Sequence, residues 1–103
     1  MDNAVGTVLD ALDANGLRES TLVIFTSDNG GLSTSEGWPT SNVPLRAGKG
    51  WLYEGGLRVP FIVRWPAVAT AGGIVDTPVS SVDLMPTVLS AAGVPSHLDA
   101  DFD

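Results

Sequence analysis

The chain has 103 residues, enough for one domain at most. Its net charge of −7 with only five Lys and Arg residues argues against a nucleic-acid partner, because neutralising phosphates requires clustered basic side chains. The absence of cysteine excludes disulfides and thiolate metal ligands within the chain, and no apolar run approaches the roughly 20 residues of a transmembrane helix.

The first predicted element is an amphipathic helix. Its apolar residues recur at helical spacing and Asn15-Gly16 follow as a C-terminal stop; the stripe comprises Val5, Val8, Leu9 and Leu12. Because this pattern opens directly at Met1, without a basic region or an apolar run, no signal peptide is predicted in this chain.

The second element is a strand over residues 22–25, a continuous apolar run of the kind that is buried on both faces of a parallel sheet. The polar turn Asp28-Asn29-Gly30-Gly31 follows at its carboxyl end, where ligands gather in open α/β sheets. Carboxylate and amide oxygens suit Ca²⁺ or Mg²⁺. The same four residues are also ordinary turn formers. An EF-hand loop is excluded, because Gly30 stands where its second ligand belongs.

A long stretch without periodicity, residues 29–58, is predicted to be a loop. Within it, Lys49 is flanked by glycines and could project its ammonium towards an anion, although a solvated loop lysine fits as well. A Walker loop is excluded, because Val43 and Gly50 replace two of its required residues. Glu36 and Trp38 are weaker candidates for lining a substrate entrance.

The remaining segments favour structural roles. Gly55-Gly56 predict a tight backbone approach, and Glu54 with Arg58 a structural ion pair. A second buried strand is predicted over 61–65. A second helix is predicted to begin at Asp83 as N-cap, to have Pro86 in its first turn and to end at Gly93-Val94-Pro95. The acidic tail, residues 97–103, is predicted to be disordered. It contains His97, the single histidine, which is a poor catalytic candidate for that reason.

This order of helix, strand, loop, strand and helix predicts an α/β layer with parallel strands. Two strands alone do not make such a sheet stable. The charged fraction of 17% is low for so small a chain, which indicates that some of its faces are covered by further protein. The chain is therefore predicted to be a piece of a larger α/β fold.

Taken together, these segments resemble the sulfatase family of the alkaline-phosphatase-like superfamily. Three motifs in the family's order and spacing carry the resemblance: Thr26 to Gly31, Pro44 to Gly50, and Tyr53 to Pro60. A fourth, Asp83 to Thr87, is similar to the start of the family's next helix. The resemblance implies that residues 1–96 are the second half of a sulfatase catalytic domain. The implied fold is an α/β sandwich with a mostly parallel sheet flanked by helices.

The resemblance also implies the site. Asp28 and Asn29 would be two ligands of a Ca²⁺ ion, and Lys49 would be a catalytic residue that contacts the sulfate ester. The family's nucleophile is a formylglycine made in a Cys/Ser-x-Pro-x-Arg motif, which this chain lacks. The chain alone is therefore expected to be inactive and to bind metal poorly. Its implied partners are a sulfated carbohydrate or aryl sulfate and the remainder of the domain, in an exported (periplasmic or extracellular) or lysosomal protein.

Two other functions remain open. A phosphatase or phosphotransferase of the same superfamily often binds two metals through an Asp-His pair, whereas this chain has Asp28-Asn29, and the asparagine favours a sulfatase. A truncated, non-catalytic remnant that acts as a binding module is the second alternative.

Overall fold

The computed structural model describes residues 1–33 and 40–95. It contains three α-helices and two strands in these ranges: α1 (Asp2–Ala14), β1 (Val23–Thr26), α2 (Glu54–Leu57), β2 (Phe61–Arg64) and α3 (Leu84–Ala91). Single 3₁₀ turns cover Arg18–Ser20 and Ser81–Asp83. The expectations for Glu36, Trp38, His97 and the tail 97–103 lie outside the described residues.

Helix α1 ends as the sequence predicts. Asn15 occupies the C-cap, and Gly16 takes a left-handed conformation with φ of 66°. The N–H of Leu17 then donates to the carbonyl of Leu12 at 2.9 Å, which satisfies one of the free carbonyls at the helix end. Val5, Leu9 and Leu12 of the predicted stripe are half-buried, whereas its fourth member, Val8, is 60% exposed.

Strands β1 and β2 lie close to their predicted positions, but the expectation that they run parallel is wrong. They form a two-stranded antiparallel sheet in which Val23 pairs with Arg64 and Thr26 with Phe61. A continuous apolar run predicts burial on both faces, not strand direction, and mixed sheets commonly carry antiparallel pairs. The mostly parallel sheet of a larger domain therefore remains a prediction.

Helix α3 begins next to Asp83, with Pro86 in its first turn, as predicted. The expected capping role of the Asp83 side chain is wrong, because it makes no cap hydrogen bond to α3. Its carboxylate instead accepts the backbone N–H of Ser80 at 2.7 Å, in a capping box for the 3₁₀ turn that precedes the helix. The helical segment thus starts one turn earlier than predicted.

The short helix α2 was not predicted, but the ion pair between Glu54 and Arg58 was. The structure confirms this pair: Arg58 Nη1 lies 3.3 Å from Glu54 Oε2, at the i,i+4 spacing of a helix. Both side chains are exposed, so the pair contributes little to stability.

The chain divides into two compact units, one formed by Met1–Leu22 with Trp65–Asp103 and the other by Val23–Arg64. The second unit holds all three candidate site residues. Among residues 1–33 and 40–95, no hydrophobic side chain is buried. In the same ranges, none of the helices is both long enough and apolar enough to cross a membrane.

Candidate functional site

The turn after β1 packs against α2 through its backbone. The N–H of Gly30 donates to the carbonyl of Gly56 at 2.9 Å, and both glycines are buried. A Cβ atom at Gly30 would lie 2.8 Å from the Gly56 Cα and overlap the Gly55 carbonyl. Only a residue without a side chain fits there, which confirms the tight approach predicted at Gly55-Gly56 and fixes the turn that carries Asp28 and Asn29.

The lysine turn packs against the same loop. The backbone N–H of Lys49 donates to the carbonyl of Gly31 at 3.1 Å, two residues after Asn29. The neighbouring Gly48 is buried, and a Cβ atom there would overlap the Gly31 carbonyl. The main chains of the two motifs therefore meet directly.

The polar ends of the candidate residues differ in exposure. Asp28 and Lys49 are exposed and Asn29 is half-buried, while the Ser27 hydroxyl donates to the Asn29 carbonyl at 2.8 Å. Within residues 1–33 and 40–95, Asp28 and Lys49 form no ion pair with each other or with another side chain. The carboxylate and the ammonium are thus available to a ligand as far as the described residues are concerned.

The two candidate metal ligands are of the type that a hard cation binds, but they are too few to hold one. Asp28 and Asn29 provide carboxylate and amide oxygens, the ligand types that Ca²⁺ takes. Ca²⁺ requires about six to eight oxygens, and the described part of the chain has no group of three or more acidic, His or Cys residues placed to hold a metal ion. Any such ion would need further ligands.

Two features of this unit were not predicted from the sequence. The half-buried Asn42 side chain bonds to two backbone carbonyls of different motifs, those of Gly31 and Ala47. The Arg46 guanidinium carbon lies 3.8 Å from the centre of the Tyr53 ring, which stacks on Trp51. Of these contacts, the sequence indicated only that the aromatic residues of this loop would need packing partners.

Comparison with known proteins gives a consistent family assignment. Residues 1–94 match the sequence model of the Sulfatase family. The steryl-sulfatase of Homo sapiens is 43% identical over 108 aligned positions, which cover the whole chain and 18% of that protein.

Solved structures agree. The Ps i-CgsB crystal structure in complex with k-i-k-neocarrahexaose superposes with a TM-score of 0.79 and 41% identity, over 91% of this chain and 20% of that one. The PsFucS1 sulfatase from Pseudoalteromonas sp. gives a TM-score of 0.77 and 35% identity, over 90% of this chain and 18% of that one. The chain therefore spans about a fifth of the length of the proteins that it matches.

Proposed function

Because the chain belongs to the sulfatase family, we propose that it forms one part of the active site of a sulfuric ester hydrolase. In this proposal Asp28 and Asn29 are ligands of a Ca²⁺ ion, and Lys49 binds the oxygens of the sulfate ester. The 3.1 Å hydrogen bond from the Lys49 N–H to the Gly31 carbonyl carries the proposal, since it brings the lysine turn beside the turn with the two metal ligands.

The negative charge of the chain makes a local cation such as Lys49 necessary for binding an anion. The net charge is −7, so the long-range field opposes the approach of an anion. A sulfate ester must therefore be held by cations close to it, and Lys49 is an exposed ammonium without an ion-pair partner among the described residues. Its charge stabilises negative charge that develops on the non-bridging oxygens in the transition state.

The metal would add to the same effect. A bound Ca²⁺ ion supplies Lewis-acid polarisation of the sulfate oxygens. The chain contributes the Asp28 carboxylate and the Asn29 amide, and the Gly30–Gly56 hydrogen bond fixes the turn on which they lie. The other ligands and the nucleophile belong, in this proposal, to the remainder of the sulfatase domain, which is why the 103 residues alone are expected to be inactive.

The proposed substrates are sulfate esters of carbohydrates or of aryl alcohols. The structural neighbour solved with a neocarrahexaose supports a carbohydrate, and the relation to a steryl-sulfatase supports a non-sugar alcohol as well. Both classes present the same sulfate group to Lys49 and the metal, so the proposed roles of the three residues do not depend on which alcohol leaves.

A chimera tests these roles. Residues 1–103 replace the matching 18% of human steryl-sulfatase, and hydrolysis of an aryl sulfate and an aryl phosphate is measured. Lys49→Met should lower kcat/KM on the sulfate on the order of 100-fold, the typical cost of one transition-state donor. Arg18→Met is the matched control, because Arg18 is an exposed cation that is paired with Asp13 and belongs to none of the candidate motifs.

The metal ligands are tested in the same chimera. Asp28→Asn should raise the Ca²⁺ concentration needed for half-maximal activity at least tenfold, because it removes the charged ligand. Asp76→Asn, an exposed carboxylate outside the candidate motifs, should leave that concentration unchanged. A preference of the chimera for aryl phosphate, or a Lys49→Met variant as active as its parent, would overturn the proposal.

A further inference from the structure

Asn42 is the side chain that joins the two turns of the candidate site. Its Nδ2 atom lies 2.8 Å from the Gly31 carbonyl oxygen and 3.0 Å from the Ala47 carbonyl oxygen. A side-chain amide has two N–H groups, so each carbonyl receives its own hydrogen bond. Gly31 closes the turn with Asp28 and Asn29, and Ala47 opens the turn with Lys49.

The surroundings give this amide a fixed position. Asn42 is half-buried, and a Cβ atom at Gly48 would lie 2.6 Å from its Nδ2 atom, so the Gly48 backbone packs closely on the amide. The Gly31 carbonyl accepts the Lys49 N–H as well as the Asn42 N–H, which uses both of its lone pairs. The two turns and Asn42 thus form one small hydrogen-bonded cluster.

Hydrogen bonds have unusual weight here because apolar packing is missing. No hydrophobic side chain among residues 1–33 and 40–95 is buried, and the two turns meet through glycine backbone. The distance between the turns is set by hydrogen bonds: the direct one from the Lys49 N–H to the Gly31 carbonyl and the two from Asn42. A partly buried amide with both N–H groups engaged is also costly to remove, because it leaves a carbonyl without its donor.

We propose that Asn42 is a positioning residue for this site: through the Gly31 and Ala47 carbonyls it sets the separation of Lys49 from Asp28 and Asn29, without touching the substrate. This inference rests on the proposed function for its catalytic consequence and on the structure alone for its geometry. Misplacement of a catalytic group by about 1 Å can cost on the order of 100-fold in rate.

The geometric part is tested in the chimera by amide hydrogen exchange, measured by mass spectrometry with fragmentation that resolves the Lys49 N–H. Asn42→Asp and Asn42→Leu both keep the size of the side chain and remove its N–H donors, but only the first adds charge. Both should speed exchange of the Lys49 N–H at least tenfold. Thr40→Val is the matched control, because it removes a 2.8 Å hydrogen bond to the Leu32 carbonyl in the same loop. It should change exchange at Lys49 less than twofold, and α1 amides serve as the internal reference.

Each other outcome counts against the proposal. An unprotected Lys49 N–H in the parent chimera with α1 protected would mean that the turns are not joined. An effect of Asn42→Asp without an effect of Asn42→Leu would assign the change to charge instead of lost donors. Loss of protection throughout α1 would indicate general unfolding, and the milder Asn42→Ser, with one donor, must then show an intermediate change at Lys49 with α1 intact.

The catalytic part is tested in the chimera with a double-mutant cycle. Asn42→Leu should lower kcat/KM on aryl sulfate at least tenfold when Lys49 is present and less than twofold in the Lys49→Met background. Equal losses in both backgrounds would mean that Asn42 does not act through Lys49. If the parent chimera hydrolyses no sulfate ester, the proposed function fails, while the exchange result still decides whether Asn42 joins the turns.

Discussion

Ala47 shows how much backbone strain a single residue of this site carries. Its φ of 60° lies in the left-handed region, and it is the only non-glycine residue with positive φ in the described part of the chain. A side chain with a Cβ atom costs roughly 1–2 kcal/mol in that conformation. The hydrogen bond from Asn42 to the Ala47 carbonyl and the close approach of Gly55 hold it there. The strain is thus stored beside Lys49, where the two turns meet.

Ala47→Gly should therefore stabilise the protein, by up to about 1 kcal/mol, because glycine adopts positive φ without a steric penalty, and the greater entropy of glycine in the unfolded chain offsets only part of that gain. Gly50→Ala is the matched opposite. Its φ is 85°, and its Cβ atom would meet nothing within 4 Å, so only conformation is changed and stability should fall by about 1 kcal/mol. The midpoint of urea unfolding of the chimera, followed by tryptophan fluorescence, measures both. If the urea midpoints of Ala47→Gly and Gly50→Ala shift in the same direction relative to the parent, Ala47 is not strained.

Motifs alone predicted the candidate residues of the site but not the residue that joins them. Asp28, Asn29 and Lys49 belong to short segments whose spacing can be matched along the chain. Asn42 acts through carbonyls that are 11 and 5 residues away, and the partners of a loop asparagine depend on how the loop folds. No periodicity or local motif encodes such contacts, so only coordinates identify them.

Helix α1 illustrates local preference without burial. It spans Asp2–Ala14, none of its residues is buried, and it contains Gly6 in its interior. An interior glycine costs roughly 1 kcal/mol relative to alanine, because it gains no side-chain contacts and loses more backbone entropy. The helix therefore depends on its hydrogen bonds and on half-buried Val5, Leu9 and Leu12.

Gly6→Ala should raise the helical content of the 103-residue chain and stabilise α1 by up to about 1 kcal/mol. A Cβ atom at Gly6 would meet nothing within 4 Å, so no steric penalty offsets the gain. Far-UV circular dichroism during urea unfolding measures the effect. Ala4→Gly is the reverse control in the same helix, since it introduces the cost that Gly6→Ala removes. A loss of helical signal in Gly6→Ala would contradict the prediction.

At the scale of elements, sequence patterns located helices and strands better than their pairing. Apolar spacing placed α1, and the runs before Asp28 and after Pro60 placed both strands. The predicted strand direction was wrong because a continuous apolar run does not distinguish parallel from antiparallel pairing. The predicted burial of both strands is also not found, since β1 is mostly half-buried and β2 mostly exposed. The start of α3 was also shifted, because Ser80 and Asp83 cap each other and so begin the helical segment at Ser81. Reciprocal capping could have been inferred from Ser-x-x-Asp, a variant of the capping box.

For the molecule as a whole, hydrophobic content and burial do not match. Hydrophobic residues make up 44% of the sequence, yet none of them is buried in the described ranges. Burial of apolar surface is the main favourable term in folding, so the described contacts offer little of it. This mismatch fits the low charged fraction and the prediction that further sulfatase sequence covers these faces.

The strongest consequence concerns the sheet. In β2, Ile62 is 61% exposed and pairs with Phe25 of β1, so a two-stranded sheet leaves apolar surface in contact with water. The 103-residue chain alone should bind a hydrophobic dye, self-associate and unfold over a broad temperature range, since exposed apolar faces of this kind promote association. Light scattering and differential scanning calorimetry measure these properties. A monomer with one sharp transition would show that the chain is complete without a covering partner.

Ile62→Lys separates covering by a partner from simple exposure. In the chain alone it should reduce self-association, because a charge blunts an apolar strand face. In the chimera the same change should lower the yield of folded protein severalfold, because the lysine would be buried without a partner. Ile74→Lys is the control, since Ile74 is 89% exposed in a connection outside the sheet and should tolerate a charge in both settings. Equal tolerance of both lysines in the chimera would mean that the sheet face stays exposed in the complete domain.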